Sequence, residues 1–233
     1  MSISLTAGIT AETIQIAAED DWLPYARADG TGLANEIIKA AFKAVEVDVE
    51  YRVVPYARAL IYIEQGKSIA AFNVPLDEKS QAKYILGKEK LFDAVSAYYF
   101  NVAHPQQAKS RDELNNGELV GVVRDYGYGD HYLNLVKTER IREAVTNSES
   151  SNLKSLSRGR IDLTIIYDKT ANILLSRLKL QTNIQLAFIN ETTPIYLAFS
   201  RSHSQGQYYA DLFDQGMKSI RENGLYQKIL DSY

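Results

Sequence analysis

Two polar side chains, Asn73 and Asp168, stand where short apolar strands are predicted to end. An amide or a carboxylate in such a position can hydrogen-bond to a polar solute. Asp168 suits an ammonium group, although a carboxylate that precedes a helix is also an ordinary N-cap. Because ligands of open α/β sheets bind beyond the carboxyl ends of the strands, we expect both side chains to face one cleft.

Aromatic residues stand near the same predicted strand ends. Trp22 and Tyr25 follow the first predicted strand, Phe72 lies in the strand that ends at Asn73, and Tyr126 follows a strand of the second half. A flat ring in this position either stacks on a ligand or covers the core. We predict that these four rings form the aromatic walls of the binding site.

Two arginines and one glycine-rich turn are candidates for recognising an anionic group. Arg58 lies at the start of a predicted helix, where a cation is unfavourable beside the positive end of the helix dipole. An exposed salt bridge would also explain its position. Arg124 ends a predicted strand and either contacts a ligand or pairs on the surface. Tyr128 lies between two glycines before a helix, in a segment that is either an anion cradle or a plain turn.

The same sequence of elements occurs twice, at residues 60–73 and 153–168. Each copy reads as an amphipathic helix, a glycine and a basic residue that end it, and a short apolar strand. Two such units predict two α/β lobes, each a mostly parallel sheet flanked by helices.

The order of the predicted elements assigns residues 10–102 and 195–233 to lobe one and residues 103–194 to lobe two. Strands are predicted over 13–18, 47–54, 68–74, 94–102, 119–123, 161–166, 185–188 and 195–199. The segment 190–194 reads as the return connection to lobe one. The last helix rejoins lobe one, because too little chain remains for a third core. Two chain crossings imply a hinge.

Composition excludes several classes of protein. The chain has 26 Lys and Arg against 29 Asp and Glu, whereas a nucleic-acid-binding protein typically presents a clustered basic face. No apolar run approaches the roughly 20 residues of a membrane-spanning helix. The absence of cysteine excludes disulfides, thiol catalysis and cysteine-ligated metals.

Catalytic and metal-binding motifs are missing as well. His104, His131 and His203 are not at the spacing of metal ligands. The sequence has no Gly-x-Ser-x-Gly nucleophile motif and no Walker loop. We therefore expect no metal, no cofactor and no catalytic residue.

A set of motifs in a fixed order extends over nearly the whole chain. They are Trp22-x-Pro24-Tyr25, Gly32 with Glu36, PYARAL at 55–60, LVGVV at 119–123, and LSRGRID at 156–162 followed by Tyr167-Asp168. In this order they resemble family 3 of the extracellular solute-binding proteins, the periplasmic receptors of amino-acid ABC importers.

The resemblance implies a two-lobed, type II periplasmic-binding fold with two hinge strands that closes over a solute. It implies a monomeric periplasmic protein without enzymatic activity, which passes a small polar solute, an amino acid or a related compound, to an inner-membrane ABC permease. The polar lead-in at Met1 is that of a chain whose signal peptide is absent from the sequence, and a cytoplasmic protein would begin in the same way.

One position departs from the family pattern. The family has Thr-x-Glu-Arg after a strand of lobe one, and that arginine clamps the ligand α-carboxylate, whereas Ser80 stands in its place here. Lys79 is a point charge and does not reproduce the planar guanidinium fork. The family ammonium acceptor matches Asp168. We predict that Arg58, or Arg124 as its competitor, takes over anion recognition, unless the ligand is an amine or another polar solute.

Two other functions stay open. The same fold serves as the input domain of membrane signalling proteins, in which case the full gene would encode flanking membrane-spanning segments. A periplasmic dehydratase-like enzyme also has this fold and would need an acid with a perturbed pKa in the cleft.

Overall fold

The computed structural model describes residues 12–233. The predicted lead-in and the first two residues of predicted lobe one lie outside this range. The strands are β1 Glu12–Glu19, β2 Asp21–Trp22, β3 Ala26–Arg27, β4 Val47–Val54, β5 Ala70–Pro75, β6 Ile85–Leu86, β7 Phe92–Asn101, β8 Glu118–Val123, β9 Ile141–Thr146, β10 Leu163–Tyr167 and β11 Ile184–Phe199. The helices are α1 Leu33–Lys43, α2 Tyr56–Glu64, α3 Glu78–Lys83, α4 Gly129–Lys137, α5 Glu149–Ser157, α6 Asp168–Leu178, α7 Gly206–Glu222 and α8 Leu225–Leu230, and a short 3-10 helix covers Arg111–Glu113.

The helix α1 packs on lobe one through apolar residues at helical spacing. Ile37, Ile38 and Phe42 recur on one face of α1 and are fully buried. α7 packs on α1, with the rings of Phe42 and Phe213 5.5 Å apart. The C-terminal helix α7 thus lies against the first helix of the chain.

One large sheet links the two lobes. Its strand order is β4-β1-β5-β11-β7-β10-β8-β9, with β6 paired to the side of β11. The outer strands pair in parallel within each lobe: β4, β1 and β5 in lobe one, and β10, β8 and β9 in lobe two. The two central strands, β7 and β11, run antiparallel to each other and to their outer neighbours. The predicted two-lobed α/β fold is confirmed.

The chain crosses between the lobes along β7 and β11. Both crossings were predicted, but the segment 190–194 is not the loop that its polar residues suggest. It lies inside β11, where Glu191 to Pro194 face Ser96 to Asp93 of β7. Because the two crossing strands pair with each other, their backbone groups are satisfied and the ladder continues from one lobe to the other. The two lobes therefore share a single sheet.

No helix within residues 12–233 is both long enough and apolar enough to span a membrane.

Candidate functional site

A small cavity lies between the lobes, beyond the carboxyl ends of β1, β5 and β10. We call it the inner cavity. Four aromatic rings and two polar side chains form most of its wall: Trp22, Tyr56, Tyr126, Tyr167, Glu19 and Asn73. Its volume is about 10 Å³, which is room for about one water-sized group.

Glu19 is the charged group of the inner cavity. It ends β1 and is only 2% exposed. Its carboxylate accepts hydrogen bonds from Asn73 Nδ2 at 3.1 Å and from the Tyr126 hydroxyl at 2.6 Å. Burial raises the pKa of the Glu19 carboxyl from 4.5 to about 7, against the lowering effect of these two donors.

Contacts between the lobes close the cavity. Tyr126 of lobe two donates to Glu19 of lobe one, and Thr170 Oγ1 of lobe two donates to the Leu23 carbonyl of lobe one. The rings of Trp22 and Tyr167 meet edge to face with centroids 4.7 Å apart. The structure is therefore that of a molecule with its lobes together.

The inner cavity opens towards a larger space that we call the outer cleft. The two share Glu19, Tyr56 and Tyr126, and the outer cleft has a volume of about 400 Å³. Asp20, Asp21 and Arg124 also face it. Carboxylates thus outnumber cations along the walls.

A third space, the side pocket, shares Asp21 with the outer cleft. Asp21 and Leu23 of lobe one and Glu149 of lobe two line it, and its volume is about 260 Å³. Glu149 lies in the first turn of α5 and is 5% exposed. Burial raises the pKa of Glu149 well above its ordinary value, and the charges of Glu19 and Asp21 raise it further.

Comparison with solved structures gives high structural similarity over nearly the whole chain. An ancestral arginine-binding protein bound to arginine matches with a TM-score of 0.82 and 16% identity, covering 96% of this chain and 99% of that one. A histidine kinase sensor domain with similarity to periplasmic binding proteins matches with a TM-score of 0.83 and 17% identity, covering 96% of both chains. A structure described for glutathione import through GshT and the cystine ABC importer of Streptococcus mutans matches with a TM-score of 0.81 and 18% identity, covering 95% of this chain and 94% of that one.

This chain has the periplasmic-binding-protein fold. No protein-family model matches the sequence, and no curated protein matches it. Ligands of open α/β sheets bind beyond the carboxyl ends of the strands, and the inner cavity lies at such ends.

The fold brings three of the predicted site residues together in the inner cavity. They are Trp22, Asn73 and Tyr126. Asn73 has a positive φ of 65° in β5, which turns its amide towards Glu19. Of the two polar side chains predicted to face one cleft, Asn73 of lobe one therefore lines the inner cavity.

Two of the predicted aromatic walls lie in the core instead. Tyr25 is 1% exposed behind Trp22, stacked on Phe92 with centroids 4.5 Å apart. Phe72 is 1% exposed and packs against Tyr51. Every residue of β5 is buried. Because successive side chains of a strand point to opposite faces, Phe72 points away from the side taken by Asn73.

The two candidate arginines differ in position. Arg124 is exposed and faces the outer cleft. Arg58 is exposed on α2, whose buried positions are Tyr56, Ala59 and Ile63, and it is not among the residues that line the cavity or the cleft. The helical period thus turns Arg58 away from the site, and Arg124 is the better-placed guanidinium.

The predicted anion cradle is filled by the protein itself. The Glu191 carboxylate packs against Gly129 so closely that a Cβ added there would lie 2.0 Å from either oxygen. Arg111 lies 3.6 Å from Glu191, and Thr193 donates to it at 2.8 Å. Tyr128 is buried, and its hydroxyl accepts a hydrogen bond from the Val123 N–H at 2.9 Å. The Glu191 side chain of β11 therefore occupies the space beside Gly129, although Gly127, Tyr128 and Gly129 also line a separate pocket of about 90 Å³.

The segment that lacks the family arginine is a helix cap. Asp77 precedes α3, and its carboxylate accepts from the Ser80 N–H at 2.7 Å. Ser80 is buried. The Asp77 carboxylate thus caps the N-terminus of α3.

Asp168 is half-buried at the first position of α6. Its carboxylate accepts a hydrogen bond from the Lys169 N–H at 2.6 Å. Burial raises the pKa of Tyr25, and the negative charge of Asp168 raises it further. The walls of the inner cavity, outer cleft and side pocket do not include it. Its role as an ammonium acceptor stays a prediction.

Sequence reasoning missed all four acidic residues that line these spaces, and two of the rings. They are Glu19, Asp20, Asp21, Glu149, Tyr56 and Tyr167. The position of Glu19 at a predicted strand end was a usable signal for a site residue. Within residues 12–233, no group of three or more His, Cys, Asp or Glu is placed to hold a metal ion.

Proposed function

We propose that this protein is a receptor that captures a small polar solute between its lobes and passes it to an inner-membrane ABC permease. The observation that carries the proposal is the inner cavity, because both lobes supply its walls and only their approach closes it. Trp22 and Asn73 come from lobe one, and Tyr126 and Tyr167 come from lobe two. A solute in this position would be enclosed by closure and released by opening.

An amino acid or a related compound is the class of solute suggested by the neighbours of the same fold, which include an arginine-binding protein. The predicted periplasmic location, the monomeric state and the absence of enzymatic activity belong to the same proposal. The predicted lobe boundaries, after residues 102 and 194, also belong to it.

Thermal-shift screening of the full chain tests the proposal. The library contains amino acids, amines, sugar acids and short peptides. A solute that binds only the native state raises the melting temperature by mass action. Trp22 is the only tryptophan of the chain and lies in the wall of the inner cavity, so its fluorescence should report the same event.

The expected result is that one class of solute changes both the melting temperature and the Trp22 emission, in a saturable manner. A library in which no solute changes either signal would contradict the proposal. Disappearance of the bound solute on incubation would show turnover and favour a dehydratase-like enzyme.

A sensor role is the second candidate, because a histidine kinase sensor domain shares the fold over 96% of both chains. Capture of a solute is common to the receptor and the sensor. Membrane-spanning segments that flank this domain in the full gene would favour the sensor, and a neighbouring permease gene would favour the importer.

A further inference from the structure

Two carboxyl groups are buried at the lobe boundary without a cationic partner among residues 12–233. Glu19 of lobe one is 2% exposed, and its hydrogen-bond donors are the neutral groups of Asn73 and Tyr126. Glu149 of lobe two is 5% exposed, and its Oε1 atom has no hydrogen-bond partner. A buried carboxylate is costly unless a cation compensates it. Neither carboxyl group therefore has an ion-pair partner among the described residues.

The acidic groups influence one another. The charges of Glu19 and Asp21 both act on Glu149, and Asp20 acts on Glu19 and Asp21. Arg177 is the cation that acts on Asp21, and it lines the side pocket with Glu149. One cation thus faces this group of carboxyls from the side pocket, and Arg124 faces it from the outer cleft.

Two buried polar atoms of residues that line the inner cavity, apart from the carboxyl groups, have no hydrogen-bond partner. Asn73 is 4% exposed and its Oδ1 acceptor is unpartnered. Trp22 is 3% exposed and its Nε1 donor is unpartnered. Both side chains line the cavity. A buried polar group without a partner is expensive, so both atoms point to a guest that the structure does not hold.

The shape and lining of the cavity select the chemistry of that guest. Its volume of about 10 Å³ suits a single nitrogen with its hydrogens, not an entire amino acid. A carboxylate and an amide oxygen accept from an ammonium group, and aromatic ring faces attract the same charge. The body of the guest can extend past Glu19 and Tyr126 into the outer cleft. A guest oxygen or a water molecule would satisfy the Trp22 donor.

We infer that the solute is a protonated amine, whose head group enters the inner cavity beside Glu19 and whose charge is also balanced by Glu149 from the opposite lobe. This inference rests on the proposed function and names its ligand class. A carboxylate on the ligand is not required, because none of the residues that line the inner cavity is cationic and Arg58 lies outside the walls of the inner cavity and the outer cleft.

Amines and their parent amino acids form a matched series for the test. Tyramine, agmatine and 1,4-diaminobutane differ from tyrosine, arginine and ornithine by the α-carboxylate alone. Calorimetric titration of the wild-type chain is expected to give about tenfold or tighter affinity for the amine of at least one pair, because the unmatched carboxylate is repelled by the acidic walls. Tighter binding of the amino acid in every pair would overturn the inference.

Different experimental outcomes would contradict the amine site and the proposed function. If neutral or anionic solutes bind and neither member of any pair does, the receptor function stands and the amine site is wrong. If no solute of any class binds, the receptor function fails and the amine site fails with it.

Two substitutions test the carboxyl groups, and a third is the matched control. Glu19→Gln should weaken amine binding about tenfold or more, because Glu19 lines the inner cavity. Glu149→Gln should also weaken it, because Glu149 is the second buried carboxyl group without a cationic partner at the lobe boundary. Both variants should melt without ligand at the wild-type temperature or above it, since an uncompensated buried carboxyl is removed. Glu222→Gln, on the exposed face of α7, should change neither property. A lowered melting temperature with unchanged affinity would make Glu149 a structural residue and overturn its assignment.

Discussion

The Tyr126 hydroxyl of lobe two lies 2.6 Å from Glu19 Oε1 of lobe one and donates a hydrogen bond to it. The same hydroxyl lies 3.2 Å from the Asp21 carbonyl. Burial raises the pKa of Tyr126 well above its ordinary value, so the phenol remains a donor. This pair joins the lobes directly beside the inner cavity.

Tyr126→Phe should weaken the closed state without unfolding the protein. The variant keeps the ring that packs on Tyr56 and loses only the hydroxyl. Loss of a hydrogen bond to a charged acceptor costs about 1.5 to 3 kcal/mol, and part of that should appear as weaker ligand binding in calorimetry. Tyr208→Phe, at an exposed position, is the matched control. Equal affinities for Tyr126→Phe and wild type would show that the bond does not stabilise closure.

Gly127→Ala should hold the lobes apart. A Cβ at Gly127 would lie 2.5 Å from Pro75 Cγ of the opposite lobe, and the proline ring has little freedom to move. We expect a larger radius of gyration in small-angle scattering and weaker ligand binding. The double variant Gly127→Ala with Pro75→Ala removes the clashing atom and should recover the affinity. If the double variant binds no better than the single one, the clash is not the cause.

Stability should fall as the pH rises through the titration of Glu19. The carboxyl pKa is about 7 in the folded protein against 4.5 for the free group, so the folded state holds the proton more tightly. Between these values the unfolded chain binds fewer protons, and the free energy of unfolding decreases by about 3 kcal/mol in total. Glu149 acts in the same direction, since its pKa is also raised.

Urea unfolding of the ligand-free protein between pH 4 and pH 8 measures this dependence. Glu19→Gln should flatten the part of the curve below about pH 7, leaving the slope that Glu149 contributes. Affinity for an amine should increase over the pH range in which stability falls, because the ionised carboxylate attracts the ammonium group. A stability curve that is identical in Glu19→Gln and wild type would refute the assigned titration.

Substitution of Arg124 is expected to change affinity in opposite directions for an amine and for a ligand whose carboxylate it clamps. Arg58→Ala should leave affinity unchanged, because the side chain is exposed outside the site walls. Arg124→Ala should preserve or slightly strengthen amine binding, since it removes a like charge from the outer cleft. If Arg124 instead clamps a ligand carboxylate, both Arg124→Ala and Arg124→Lys should cost about 2 kcal/mol or more.

Periodicity predicted the layers of the fold, but the crossing strand required tertiary pairing. The strand predicted at 47–54, for example, is β4 of the structure. The polar segment 190–194 reads as a loop, because its strand character arises only when β7 pairs with it. Local propensity does not contain that information.

The site was only partly predictable for a similar reason. Asn73 and Trp22 were found because they lie near strand ends, where ligands bind in α/β folds. Phe72 was misplaced because β5 is buried on both faces, so the sequence does not mark the side that faces the cavity. Glu149 reads as an ordinary residue of a helix first turn, since its burial depends on the approach of the other lobe.

A distance measurement across the outer cleft tests capture by closure most directly. The chain has no cysteine, so Arg58→Cys and Lys154→Cys introduce the two thiols for nitroxide labels. Both side chains are exposed, on α2 of lobe one and α5 of lobe two, and the residues before these helices line the outer cleft. The account predicts that a saturating solute from the thermal screen shortens and narrows the distance distribution seen without solute. A distribution that is the same with and without the bound solute would contradict it.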